Sequence, residues 1–210
     1  MKAIIFDMDG VLVNTPYIAC EVTNTLLQNE DITFTQKEFK KYLKFGIEDR
    51  VKIWNKEFNK NIDIQLFFKS FIDLQVQVLK KDPNNNTRKD ILTQLKNDGL
   101  KLGLATKAKR VKVDKVLAAL DIQNIFDSIE TGDITKNHKP HPEVYLTTLK
   151  NLNITSQDAI VIEDSPHGIV AAKKAGLKVL GYKTNVFTDE DLAEADVIIT
   201  DLSEIFQYIN

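Results

Sequence analysis

Five short apolar runs constrain this chain most. They are Ala3-Ile-Ile-Phe6, Leu100-Lys-Leu-Gly-Leu-Ala105, Ala159-Ile-Val-Ile162, Lys178-Val-Leu-Gly181 and Val197-Ile-Ile-Thr200. None is long enough for a buried helix, and in most of them the apolar residues run on instead of alternating with polar ones. Such runs read as strands covered on both faces. Phe126-Asp-Ser-Ile129 is a weaker example. Helical patterns fill the intervals, and strands alternating with helices imply a parallel sheet with helices on both sides. The expected fold is therefore α/β, a three-layer Rossmann-like parallel sheet.

One interval breaks the alternation. From about Thr15 to Lys81 no strand pattern appears. Ile18, Val22 and Leu26 mark one helix face, Val51, Trp54 and Phe58 another, and Ile64, Phe67, Phe71 and Leu74 a longer one. Asp82-Pro-Asn-Asn-Asn-Thr87 then reads as a polar, turn-prone return linker. The expected division is a core of residues 1–14 and 85–210 with an α-helical cap of 15–84 inserted after the first strand. A bundle held by two short linkers can act as a lid.

Composition excludes several function classes. With 28 basic and 30 acidic residues, the net charge of −2 argues against a nucleic-acid-binding surface. No apolar run is long enough to span a bilayer, and the first residues lack the pattern of a signal peptide. Cys20 is the single cysteine, so no intramolecular disulfide forms and a reducing compartment suits the chain. The expectation is a soluble cytoplasmic protein, a monomer by default, without membrane or nucleic-acid partners.

Ligands of parallel α/β sheets bind beyond the carboxyl ends of the strands. The polar residues at those ends are Asp7 and Asp9 after the first run, Thr106 after the second, and Glu163 and Asp164 after the third. Lys139 precedes Pro140 and the next helical pattern. If the strands are neighbours, these groups share one crevice. Several carboxylates crowded together repel each other unless a cation joins them, and Mg²⁺ takes hard oxygen ligands while leaving positions for phosphate. A carboxylate can attack phosphorus, a hydroxyl and a lysine can neutralise phosphoryl oxygens, and a second carboxylate can carry the proton. Gly10 allows the backbone to turn sharply beside the ligand.

The stretches FDMDGVL, LATK, HKPHPEVYL and IEDSPHGIVAAKKAG, in this order, resemble the haloacid dehalogenase superfamily, in the subgroup with a helical cap after the first strand. The resemblance runs the length of the chain. It implies that Asp7 is the nucleophile and a Mg²⁺ ligand, and that Asp9 is the general acid/base with its main-chain carbonyl on the metal. It implies that Thr106 and Lys139 hold the phosphoryl group with Lys107 beside them, that Asp164 is a direct metal ligand, and that Glu163 is a direct or outer one. The dehalogenases of the superfamily lack an acid at the position of Asp9, so its presence points to phosphoryl transfer. The EDSPHGI form resembles sugar-phosphate phosphatases and β-phosphoglucomutase. The expected activity is a Mg²⁺-dependent phosphatase acting on a small phosphorylated metabolite such as a sugar or polyol phosphate.

There are departures from the pattern. Asn14-Thr15 stands where the family often has Asp-Ser or Asp-Thr, and Ala19 where it has a histidine. The missing histidine counts against a phosphomutase, the first alternative. The cap stretch Lys44-Phe-Gly-Ile-Glu-Asp-Arg50 resembles the family's specificity loop and makes Lys44 and Arg50 candidate substrate residues, although Arg50 falls one position late. Lys44 would also be the Schiff-base lysine of a phosphonate-cleaving relative. A non-catalytic sensor of a phosphometabolite is the remaining alternative. Taken alone, a D-x-D after a strand is an ordinary solvated loop, Thr106 a helix N-cap, and Glu163-Asp164 an acidic start to a helix. The basic stretch Lys109, Arg110, Lys112 and Lys115 reads as a solvated helix face. His138, His141 and His167 read as exposed, and Cys20 as packing in the cap.

Overall fold

The computed structural model describes residues 1–209, and for residues 15–17 the backbone alone. By internal packing the chain forms two compact units, Met1–Val13 with Pro83–Asn210, and Asn14–Asp82.

The first unit holds a six-stranded parallel sheet in the order β3-β2-β1-β4-β5-β6. The strands are β1 (Ala3–Phe6), β2 (Lys101–Ala105), β3 (Ser128–Glu130), β4 (Ala159–Glu163), β5 (Lys178–Tyr182) and β6 (Val197–Ile199). All four β1 residues are fully buried, as an unbroken apolar run requires. The register sets Phe6 beside Leu104 of β2 and beside Ile162 of β4. The residues that follow these three strands therefore emerge side by side at one edge of the sheet. Ala3 and Ile5 pack in a cluster with Tyr145, Leu149, Val161 and Ile169. Burying a side chain the size of Ile5 or Leu149 contributes about 1.5–3 kcal/mol.

The helices of this unit follow from the same sequence logic. They are α5 (Asn85–Asn97), α6 (Arg110–Ala119), α7 (Glu143–Leu152) and α8 (Pro166–Lys174). Helix α8 starts as its sequence dictates: Ser165 is the N-cap, its Oγ accepts from the Gly168 N–H at 3.2 Å, and Pro166 opens the first turn. Helix α5 begins inside the segment read as a linker. Its first turns are polar, and its buried residues are Ile91, Leu92 and Leu95, so the apolar period becomes visible only halfway along it. Strand β3 lies slightly later than the sequence suggested. Asp127 is held before it, donating its N–H to the Leu102 carbonyl and accepting the Leu102 N–H on its carboxylate.

The second unit is helical: α1 (Thr15–Leu27), α2 (Gln36–Phe39), α3 (Ile47–Glu57) and α4 (Ile64–Leu79). No strand occurs among its described residues. Its core is aromatic, with Phe34 and Trp54 rings 5.5 Å apart and Trp54 meeting Phe67 edge-on at 5.8 Å. Cys20 is buried there and its thiol bonds the Phe34 carbonyl at 3.5 Å. Asn14 occupies the N-cap position of α1 without a side-chain capping bond, and the Thr15 side chain lies outside the described residues. No helix among the described residues is long and apolar enough to cross a membrane.

Candidate active site

The ends of β1, β2 and β4 bring together Asp7, Asp9, Thr106, Glu163 and Asp164, and the loop before α7 adds Lys139. Asp7, Thr106, Lys139, Glu163 and Asp164 are all buried. Lys139 is the hub. Its Nζ lies 2.7 Å from Asp7 Oδ1, 2.6 Å from Glu163 Oε1 and 2.9 Å from the Ala105 carbonyl, so its three N–H donors each have an acceptor. Its side chain is only 1% exposed. Burial alone would strip the proton from such a lysine. The Asp7 and Glu163 carboxylates outweigh burial and hold its pKa well above the ordinary value.

The acids respond unequally. Burial raises Glu163, but Lys139, the Tyr145 hydroxyl and the Ser165 N–H outweigh it and keep the carboxyl below its usual range. Burial pushes Asp7 up to about 7, with Lys139 only partly opposing and Glu163 adding to the rise. Asp164 is driven well above the carboxylate range by burial and by Glu163, Asp7 and Asp9. Carboxylate oxygens of Asp7, Glu163 and Asp164 lie within 4.8 Å of one another. Three hard anionic donors converging on one point, two of them reluctant to ionise, fit a divalent cation such as Mg²⁺.

Two glycines make this convergence possible. Gly10 has φ +97°, and a Cβ there would lie 1.8 Å from Asp164 Oδ2. The turn after β1 thus needs both the left-handed backbone and the missing side chain. On α8, a Cβ at Gly168 would lie 1.8 Å from Glu163 Oε1. The helix must come that close for Ser165 to serve both it and Glu163, whose Oε2 accepts from the Ser165 N–H at 3.1 Å and from its Oγ at 3.0 Å.

Thr106 lies at the end of β2, its N–H on the Glu130 carbonyl at 3.0 Å and its Oγ1 accepting from the Ala108 N–H at 3.1 Å. It is not the N-cap of α6: that position is Lys109, and Asp133 Oδ1 takes the Arg110 N–H at 3.0 Å. Lys107 is exposed in the loop between Thr106 and α6.

Lys44 and Arg50 belong to the helical unit. Lys44 is exposed, with Nζ over the Phe45 ring at 5.1 Å. Arg50 is buried, and its Nε donates to the carbonyls of Tyr42 at 2.9 Å and Phe45 at 3.0 Å. The guanidinium thus braces the turn that carries Lys44. The three histidines are exposed.

Sequence reasoning missed two residues. Tyr145 on α7 donates its hydroxyl to Glu163 Oε1 at 2.8 Å, and its ring lies 4.9 Å from Lys139 Nζ. The signal was there in HKPHPEVYL, where Tyr145 falls on the buried face with Val144, Leu149 and Leu152. Lys112 on α6, read as part of a solvated face, is buried, and its Nζ contacts both Asp9 oxygens, at 2.7 and 2.9 Å. It lies beside Val113 and Val116 on the face that α6 turns inward.

A parallel α/β sheet with a carboxylate cluster at the ends of its central strands puts the candidate site where ligands of such sheets bind. A sequence model described as Haloacid dehalogenase-like hydrolase matches residues 4–182, and the chain belongs to that family. It is 29% identical over 203 residues to a phosphorylated carbohydrates phosphatase of Thermotoga maritima, covering 94% of this chain and 93% of that one. It is 28% identical to the β-phosphoglucomutase of Bacillus subtilis, covering 98% and 92%. CbbY from Rhodobacter sphaeroides, solved in complex with phosphate, has the same fold: the TM-score is 0.82 at 24% identity, covering 98% of this chain and 96% of that one.

Proposed function

We propose that this hydrolase is a Mg²⁺-dependent phosphatase of a small phosphorylated carbohydrate, working through an aspartyl-phosphate intermediate. The observation that carries the reading is the convergence of Asp7, Glu163 and Asp164 around Lys139. The likeness to a carbohydrate phosphatase of Thermotoga maritima supports the substrate class.

Asp7, Glu163, Asp164 and the Asp9 carbonyl would hold Mg²⁺, which when bound neutralises charge on the phosphoryl oxygens. Asp7 attacks phosphorus, and the ester P–O bond breaks as its own O–P bond forms. Asp9, protonated and with one oxygen released from Lys112, gives its proton to the leaving alcohol oxygen. Water then attacks the same phosphorus, Asp9 takes the water's proton, and the Asp7 carboxylate is released with inorganic phosphate. The Thr106 hydroxyl and the Lys139 ammonium stabilise the phosphoryl oxygens. Lys139 exchanges one of its present acceptors to do so. Lys107 is an exposed cation of the loop that follows Thr106. In the helical unit Lys44 is the substrate-binding candidate, while Arg50 acts through the turn it braces.

The test is phosphate release from a panel of sugar, polyol and nucleotide monophosphates, with Mg²⁺ and with EDTA. Expected is Mg²⁺-dependent release that Asp7→Asn abolishes and Asp9→Asn lowers by roughly 10²–10⁴-fold. Release that persists in EDTA, or in Asp7→Asn, would sink this mechanism. The likeness to β-phosphoglucomutase favours one second reading, transfer of the phosphoryl group to a sugar hydroxyl. It predicts hexose-phosphate isomerisation with a bisphosphate activator and little free phosphate. Ala19, where that reaction's histidine would stand, counts against it.

A further inference from the structure

We infer that Lys112 is a positioning residue for Asp9, and that it holds this carboxylate as a proton carrier apart from the metal-binding acids. The inference rests on the role proposed above for Asp9.

Three of the four acids are divided between two lysines. Lys139 bonds Asp7 and Glu163. Lys112 takes Asp9 alone of the four, with its ammonium on both carboxylate oxygens. The convergent group is correspondingly Asp7, Glu163 and Asp164, and the Asp9 carboxylate is not in it. Asp9 nevertheless stands two residues after Asp7, in the turn that the Asp9–Val13 bridge closes. A carboxylate so near a cation site has a competing partner in the cation itself. An ammonium on both of its oxygens opposes that turn.

Packing does not require a lysine here. Position 112 lies on the inward face of α6, where an apolar side chain would fill the space without desolvating a charge. Instead the Lys112 side chain is 10% exposed, against 32% for Asp9. Withdrawing an ammonium from water this far is costly unless a counter-ion accepts it. Asp9 is that counter-ion, and the stem of Lys112 runs from the helix that follows the phosphate-binding loop. The pair ties the orientation of the proton carrier to the element that carries Thr106. A small rotation of a proton donor is enough to cost a large factor in rate.

The consequence depends on the leaving group. An alcohol leaves only with a proton, so a misdirected Asp9 slows formation of the aspartyl phosphate. p-Nitrophenolate leaves without one, so the same step from p-nitrophenyl phosphate does not depend on Asp9. The experiment compares wild type, K112M, K112R, D9N and K112M/D9N. One substrate is the sugar monophosphate turned over fastest in the panel above. The other is p-nitrophenyl phosphate, followed in a single turnover. Expected for K112M on the sugar phosphate is a kcat about tenfold lower with KM changed less than twofold. p-Nitrophenolate release in the single turnover stays at the wild-type rate. K112R stays within about threefold of wild type on both, and K112M/D9N is no slower than D9N because both changes act on one group. Equal losses on both substrates, or a further tenfold loss in the double variant, would overturn the inference, as would a K112M indistinguishable from wild type. If K112M loses its helical circular dichroism, K112Q carries the same comparison. Wild-type turnover of the sugar phosphate by D9N would instead refute the Asp9 assignment, whatever Lys112 does.

Discussion

At the scale of single residues, the site is a problem in electrostatics solved with few cations. Lys139 offsets two buried carboxylates at once. Lys139→Met should therefore cost about 3–5 kcal/mol, since it leaves Asp7 and Glu163 buried without their counter-ion. Urea unfolding checks this, and added Mg²⁺ should recover part of the loss. Tyr145→Phe removes one hydroxyl from Glu163 and keeps the ring over Lys139. It should cost about 1–2 kcal/mol in the same measurement. A Cβ at Gly10 meets the Asp164 carboxylate, so Gly10→Ala should abolish Mg²⁺-dependent turnover while the sheet still folds. Circular dichroism beside the phosphate assay separates the two effects. Asp7, Asp9, Thr106, Glu163 and Asp164 were legible because strand ends are visible in sequence and the sheet rule brings them together. Lys112 was not. A run of lysines looks like a solvated face, and nothing in the spacing says which flexible stem turns inward.

At the scale of elements, one device recurs at the amino ends of the strands, opposite the site. Asp127, before β3, accepts from the Leu102 N–H of β2 and from Lys96 on α5. Asp196, before β6, accepts from the Val179 N–H of β5 and from Lys173 on α8. Each acid thus fastens a helix end and two strands. Partial burial raises both carboxyls, yet these hydrogen bonds outweigh it and leave them below their ordinary 3.8. Because the folded-state pKa is the lower one, the stabilisation is complete above 3.8 and is lost as pH falls through the folded value. Asp127→Asn with Asp196→Asn should lower stability by about 1 kcal/mol per site at neutral pH, and by less toward pH 3. Thermal melts at stepped pH read this directly; an offset that does not shrink in acid would refute it. The strands themselves were legible as unbroken apolar runs. Strand β3 was blurred because three residues at a sheet edge carry little pattern, and the start of α5 because its first two turns are polar.

At the scale of the molecule, the fully buried strands β1 and β4 are interior, and β3 and the partly buried β6 are the edges. Sequence does not carry the relative weights of the acids, since these depend on burial that only the folded sheet creates. Cation binding should therefore report on the assembled sheet. Millimolar Mg²⁺ should raise the melting temperature, by about 2.7 kcal/mol of added stability at a hundredfold excess over Kd, and Asp164→Asn should remove most of that shift. A shift of the same size in Asp164→Asn would place the binding elsewhere. The central position of β1 also has a consequence for synthesis on the ribosome. Of the six strands this one is made before the others, yet one of its two partners, β4, lies far along the chain. Until β4 is made, the nascent chain carries an apolar strand with an open edge and an aspartate whose neighbours do not exist. Ribosome-bound chains stopped before Ala159 should be the ones that chaperones hold, and lengthening them past Asp164 should release that hold.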